Sequence, residues 1–419
     1  MGKSFQYANL SSGDVIPFSV EGGFYIDQDT NIEALEKAID LNCVTSTFKI
    51  YVLYPDETIN YEIPESIIKS GGTYNENYQN GQRRSLSFSL YNDGGEYSPN
   101  INNLWAGTRL RLDVHLNYNG ETVIFTKGYF VITKASPSSS PDGKEVTISA
   151  SDKFSWFENA TGRLKDTYEV PEGVEIEEVI RSILLTETGS GSVYDPKDII
   201  YAEELKGKKT QVSIVKNAGE TYGDILLELA TQLSAEIFYN SNGNLTVIPL
   251  ADVSEDKNKP VLYSFDTGKG DLSQLNFDYD YNSIVNRVIV LGNSKNGAVY
   301  KGVAVNSDER SPLCYQRVGY RTASIINDSN IYSEILAKER AEYELRQKLI
   351  LKTTSSSTIL FNPFLSVNNL ITINDDFYEL VNEKFLLQSI SFGLNAEGQM
   401  EMSFSSISNL SINIETSNF

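Results

Sequence analysis

Between Ser85 and Ser155 apolar and polar residues alternate with a period of two, the signature of strands that bury one face. Leu86, Phe88 and Leu90 alternate with Ser85, Ser87 and Ser89. After a long polar turn, Leu110, Leu112, Val114 and Leu116 share one side of a strand, and Arg109, Arg111, Asp113 and His115 share the other. A further strand covers 129–133 behind Gly128, a Pro-Ser loop ends in Asp142-Gly143, and Val146, Ile148 and Ala150 resume the alternation. Asp-Gly between alternating runs predicts a hairpin.

The same order of strands and turns returns near the C-terminus. Leu370-Ile371-Thr372-Ile373 follows Pro363 and Leu365 much as Leu110-Arg111-Leu112 follows Pro99 and Leu104. A strand over 385–394, a turn over 395–398 and a strand carrying Met400, Met402 and Phe404 complete the block. Residue identities alone do not carry the comparison, but the pattern predicts two similar β units about 260 residues apart.

Residues 1–47 read as an extension with one short helix, where Thr30-Asn31-Ile32-Glu33 matches a capping box and Ile32, Leu35, Ala38 and Ile39 form the apolar side. A strand over 48–54 stops at Pro55-Asp56, and Gly71-Gly72 and the Asn-rich run 75–80 read as turn or loop. Residues 158–173 read as a linker, beyond which the period changes to 3.6. Ile176, Val179, Ile180, Ile183 and Leu184 make one helical stripe; Thr221 caps a second helix with Asp224 at its third position. A strand near Val212–Val215 precedes that helix, and a hairpin turning at Asn242-Gly243 follows it, giving a small α+β unit.

Residues 251–270 read as a surface connection, and strand alternation resumes at Phe277, Tyr279 and Tyr281 and again at 288–291. The longest helix is predicted over 331–351, with Glu334/Lys338, Glu342/Arg346 and Glu344/Lys348 as i,i+4 pairs, each contributing ~0.3 kcal/mol. Its other side, Ile335, Ala341, Leu345 and Leu349, is expected to pack on the second β unit.

A chain of 419 residues exceeds one core and implies several domains. No apolar run is long enough for a transmembrane helix, and Met1-Gly2-Lys3-Ser4-Phe5-Gln6 fits neither a signal peptide nor a myristoylation site, so folding in a cytoplasm is expected. Cys43 and Cys314 give neither a disulfide framework nor metal spacing. A formal charge of −21 argues against stable binding to a nucleic-acid backbone.

Candidate chemistry is sparse. His115 is the sole histidine available to activate a nucleophile, and its place on the polar side of a strand reads as an ordinary surface or lumen residue. No HExxH, GxSxG or P-loop pattern occurs. Asp278-Tyr279-Asp280-Tyr281-Asn282 faintly resembles a calcium loop, but Ser283 stands where Gly is needed and Ile289 where Glu is needed, so a strand is the better reading. The 56 acidic residues offer no carboxylate pair worth naming for glycoside hydrolysis. The 25 tyrosines fit strands and subunit interfaces better than a sugar-stacking site. No catalytic, cofactor-binding or metal-binding residue is therefore named, and no cofactor or enzymatic activity is expected.

Several short motifs resemble tailed-bacteriophage baseplate hub and tail-tip proteins, which are related to the type VI secretion spike hub. They are Ser89-Leu90-Tyr91-Asn92, Tyr97-Ser98-Pro99-Asn100, Leu104-Trp105-Ala106-Gly107-Thr108-Arg109-Leu110-Arg111-Leu112 and Phe125-Thr126-Lys127-Gly128-Tyr129-Phe130. Tyr222-Gly223-Asp224-Ile225-Leu226, Asn286-Arg287-Val288-Ile289-Val290-Leu291-Gly292 and the segment from Asn362 to Ser405 extend the match over roughly 50–405. The resemblance implies a mainly β fold with α+β insertions, in which two tube-like β-barrel domains flank a small α+β domain. It divides the chain into an extension (1–47), a first β-barrel hub domain (48–157), an α+β middle domain (158–250) and a second β-barrel hub domain (251–419) that carries the helix over 331–351.

It further implies a homotrimer at the tip of a virion tail, assembled in the cytoplasm of a bacterial host. Six similar barrels would adapt a sixfold tail tube or distal tail protein above to a threefold spike, fibre or lytic protein below. DNA would pass without stable binding, repelled by an acidic channel wall. Some members continue into a peptidoglycan-cleaving or fibre domain, whereas this chain stops at Phe419, so lytic or receptor functions are expected on a partner. The rival expectations are a receptor- or carbohydrate-binding tail-tip protein and, behind it, a glycan-degrading enzyme.

Overall fold

Alternation and hairpin signals translate into strands over most of the chain. The computed structural model describes residues 45–97, 104–118, 121–141, 143–188, 193–249, 261–269, 272–278, 284–295, 298–311, 313–328, 331–350, 354–394, 398–406 and 414–417. The first seven strands are β1 (Thr45–Leu53), β2 (Ile59–Glu62), β3 (Ile68–Asn77), β4 (Arg84–Tyr91), β5 (Arg109–Tyr118), β6 (Glu121–Ser140) and β7 (Gly143–Asp152). The middle of the chain adds α1 (Ser155–Glu158), β8 (Tyr168–Val170), α2 (Ile176–Leu184), β9 (Ile200–Tyr201), β10 (Ile214–Lys216), α3 (Tyr222–Leu233), β11 (Ala235–Tyr239) and β12 (Leu245–Pro249). Then come β13 (Val261–Asp266), β14 (Leu272–Asp278), β15 (Arg287–Lys295), β16 (Ala298–Asn306), α4 (Tyr315–Val318), β17 (Ile326–Asn327) and α5 (Glu334–Ile350). The last strands are β18 (Thr354–Leu360), β19 (Leu370–Asp375), β20 (Leu380–Gly393), β21 (Gln399–Ser406) and β22 (Ile414–Ser417). The chain is mainly β, as expected.

The repeat is visible in the strand order. In the first block the order is β4-β7-β6-β5; in the last it is β18-β21-β20-β19. Each is three hairpin-linked antiparallel strands whose third neighbour is the strand that precedes them. Even a bulge recurs: Thr133 is the extra residue of β6 against β7, and Gln388 is the extra residue of β20 against β21.

The two blocks are not separate sheets. β3 pairs on one side with β4 and on the other with β20, joining both into one sheet of thirteen strands. One core follows, in which Ile50, Leu86, Phe88, Leu110, Leu112 and Val114 belong to the same cluster as Ile371, Phe385, Leu387, Met400 and Phe404. Fully burying each such side chain contributes roughly 2 kcal/mol.

Several local expectations change. Gly71-Gly72 and residues 75–77 are not a turn but part of β3, bent by a bulge where Gly71 adopts φ +101° and where a Cβ on Gly72 would lie 2.9 Å from Leu394. The Pro-Ser stretch is the far end of β6, paired with β7 through Ser140. Pro137 is tolerated there because β5 pairs with β6 only as far as Val131, so the missing N–H faces an open edge. Within 158–173, Tyr168–Val170 is a strand paired with β10, and within 251–270, Val261–Asp266 is a strand parallel to β19. The predicted N-terminal helix, Cys43 and Tyr279–Asn282 lie outside the described residues.

A second core holds the middle unit, where Ile176, Ile180 and Ile183 of α2 meet Leu226 and Leu229 of α3 and Ile237 and Val247 of the β11–β12 hairpin. The capping box forms: Thr221 Oγ1 accepts from the Asp224 N–H at 3.1 Å, and Asp224 Oδ2 accepts from the Thr221 N–H at 2.9 Å. A third core places α5 on β15 and β16. Its buried row is Ala337, Ala341, Leu345 and Leu349, and Ile335 points outward at 69% exposure, so the expected face is corrected by a fraction of a turn. Alanines fit because the helix sits very close to the sheet: a Cβ on Gly302 would lie 2.1 Å from the Ala337 carbonyl oxygen. Glu342 pairs with Arg346 at 2.5 Å, whereas Glu344 turns back to Arg340 at 2.8 Å.

Candidate functional site

Beside the seam where β3 joins the two repeated blocks lie strand residues whose parity is apolar but whose chemistry is not. Arg84 continues the inward row of Leu86, Phe88 and Leu90; Glu76 follows Tyr74; Asp152 follows Val146, Ile148 and Ala150. All three are buried, and they form one polar cluster. The Arg84 guanidinium pairs with Glu76 and donates to the Tyr239 carbonyl of the middle unit. Asp152 Oδ2 accepts from the backbone N–H groups of Arg83 at 2.7 Å and Arg84 at 2.9 Å. Burial pushes the Asp152 carboxyl up to about 6, opposed by those N–H donors. Arg83 turns the other way, pairing with Glu236 of β11 at 2.8 Å with its guanidinium 3.6 Å from the centre of the Phe238 ring.

Across the seam Tyr74 stands opposite Phe392, with ring centroids 4.7 Å apart. Lys127 is the extra residue of a bulge in β6 against β5, and the bulge aims its side chain across the join. Its Nζ donates to the carbonyl oxygens of Pro363 at 2.7 Å and Leu365 at 3.2 Å. Burial drives this amine down to about 8, with Glu76 pulling the other way.

A second buried charge group seats the middle unit. Glu57, in the β1–β2 turn at φ +66°, meets Lys153 at 2.7 Å, Lys197 at 2.8 Å and Arg109 at 3.5 Å. Lys153 also reaches Asp195 at 2.8 Å. Burial raises the Glu57 carboxyl, but Lys153 and Lys197 outweigh it and hold the group below its ordinary value. Arg109 and Asp113, expected on a solvated face, are buried; Asp113 accepts from Arg111 at 2.7 Å and Thr126 at 2.9 Å. Only the parity of Arg84, Glu76 and Asp152 could have revealed any of these residues from sequence. Glu57, Lys153 and Asp195 carry no such signal, because their meeting is set by packing between distant segments.

His115 lies half-buried on β5 opposite Thr47, and its Nε2 has no hydrogen-bond partner among the described residues. Burial and the nearby Lys49 lower its pKa, and it makes no hydrogen bond to a Ser or Cys among the described residues. Cys314 is a buried free thiol. Among the described residues no group of three or more His, Cys, Asp or Glu is placed to hold a metal, and no helix is long and apolar enough to cross a membrane.

No family model and no curated protein matches the chain. Solved structures do. The 43 kDa tail protein of prophage MuSo2 from Shewanella oneidensis superposes with a TM-score of 0.58 at 14% identity, covering 87% of this chain and 99% of that one. The tail protein from Neisseria meningitidis MC58 gives 0.59 at 12% identity, covering 86% and 96%. This chain has the fold of phage tail proteins. The tail-protein fold extends to a chain of the lidded Francisella PdpA–VgrG complex, with a TM-score of 0.51 at 11% identity, covering 93% of this chain but 57% of that longer one. A fold can persist at such low identity because strand register follows the burial pattern, which many different residues satisfy.

Proposed function

We propose that this chain is a structural hub of a phage or phage-like tail, working as a homotrimer at the tail tip. The observation that carries the proposal is the repeated strand order β4-β7-β6-β5 and β18-β21-β20-β19, joined where β3 pairs with β4 and with the C-terminal half of β20. Two comparable units per chain become six around a threefold axis, which is what a threefold tip needs in order to meet a sixfold tube. In this reading residues 48–157 and 251–419 supply the ring, and 158–250 is an appendage held to it by the buried charges of Glu57 and Arg83.

The likeness to a prophage tail protein and to a second tail protein, over nearly the whole length of each, supports the tail role. A tube or distal tail protein docks above, and a spike, fibre or lytic protein below. Three copies of a −21 chain carry −63, a charge that keeps passing DNA from adhering. The role is one of positioning, and no catalytic step is assigned to this chain. Gold-labelled antibody against the chain, applied to intact phage or phage-like particles that contain it, tests the location. Label at one end of the tail is expected; label along the tube or on the capsid would overturn the proposal.

A further inference from the structure

The chain has two tryptophans, and both line the same cleft. The cleft holds about 1190 Å³ and opens where the end of β1, the turn leading into β5 and the α1 corner of the middle unit converge. That volume is enough for a ligand of several linked rings.

The turn that carries one of its aromatic side chains is held in place. The turn at 105–108 is closed by the Thr108 N–H donating to the Trp105 carbonyl at 3.0 Å and the Trp105 N–H donating to Thr108 Oγ1 at 3.2 Å, and Trp105 is 51% exposed. Tyr54 stands 49% exposed on the same cleft. Trp156 lies deeper, with the Arg109 guanidinium 4.5 Å from its ring centre; that guanidinium is occupied by Glu57 and the Tyr194 carbonyl.

Primary amides also line the cleft. The side chains of Asn60 and Gln82 make no hydrogen bond among the described residues, and Asn159 uses only its Oδ1, accepting from the Thr161 N–H at 2.9 Å. Each amide can donate and accept at once, as a hydroxyl partner requires. Formal charge is scarce: apart from the committed Arg109, Glu158 is the one charged side chain of the lining. A polyanion would find no available cation here, and a purely apolar ligand would strand the amides. Flat aromatic faces beside unpaired amides match a molecule with apolar ring faces and a rim of hydroxyls.

We propose that this cleft binds a neutral oligosaccharide, its ring faces stacking on Trp105 and Tyr54 and its hydroxyls met by Asn60, Gln82 and Asn159. The site gives the chain a glycan-binding activity that does not depend on the tail role.

Because no tryptophan lies elsewhere, intrinsic tryptophan emission of the full-length protein reads this cleft alone. The protein is titrated with tetra-N-acetylchitotetraose, cellotetraose and maltotetraose, and with a neutral tetrapeptide as the competing class. Saturable change with at least one tetrasaccharide below about 10 mM is expected. Trp105→Ala should weaken it about tenfold or more, with Trp156 still reporting. Asn159→Ala, an exposed change that leaves both rings in place, should weaken it severalfold. Unchanged melting temperatures show that both variants remain folded. No saturable response to any tetrasaccharide, equal responses in wild type and both variants, or saturation by the peptide alone would each overturn the proposal.

Discussion

Lys127 Nζ donates to the Pro363 carbonyl oxygen at 2.7 Å, tying two segments 236 residues apart in sequence. The contact crosses the join between the repeated blocks, where the bulged backbone of β6 delivers a cation to two carbonyls of the other block. Replacing Lys127 by Met keeps the volume but leaves those carbonyls unpaired. We expect a loss of about 1–3 kcal/mol in denaturant unfolding near pH 10, where the amine is neutral in the folded chain.

The same residue predicts a dependence on alkaline pH. Its amine titrates at about 8 in the folded chain against 10.5 in the free side chain. Folding is thus penalised by the buried charge below about pH 8, and the penalty fades as pH rises toward 10.5. The wild type should gain up to about 3 kcal/mol over that window relative to Lys127→Met. A difference that stays flat with pH would show that the amine keeps its ordinary pKa.

Glu57 predicts the opposite limb. Its carboxyl is held below the ordinary 4.5 by Lys153 and Lys197, so its contribution is complete above that value and is lost as pH falls through the lower, folded value. Glu57→Gln strands buried cations and should cost about 3 kcal/mol at pH 7. Acid titrations should show less further loss below about pH 4.5 in the variant than in the wild type.

Arg84 and Glu76 form a pair in which removing one partner is worse than removing both. Arg84→Met or Glu76→Met alone should cost about 3–5 kcal/mol, and the double variant should recover much of it. A denaturant double-mutant cycle measures the coupling, and additive losses would contradict the pairing.

Gly302 sets how closely α5 approaches its sheet. Gly302→Val would drive a side chain into the Ala337 backbone, and amide exchange along Glu334–Ile350 should accelerate, while Ile335→Lys, on the exposed face, should leave it unchanged.

What could be read in the chain depended on how far each signal reached. Period-two runs such as 86–90 and 110–116, and the Thr221–Asp224 cap, became strands and a helix where expected, because each is decided by neighbours in sequence. The strand over Ile68–Asn77 was hidden by Gly71-Gly72 and its asparagines, which read locally as a turn and are overridden by pairing with partners on both sides. Pro137 hid the end of β6 in the same way. The cleft was hidden for a different reason: Trp105, Trp156 and Asn60 come from three separate stretches that only the folded chain brings together.

The solution mass of the purified protein, measured by light scattering over a range of concentrations, tests the hub most directly. One chain is 46.7 kDa. The account predicts a stable species of about 140 kDa, three chains in a closed ring. A mass of 46.7 kDa at every concentration, unchanged when purified tail tubes are added, would contradict it.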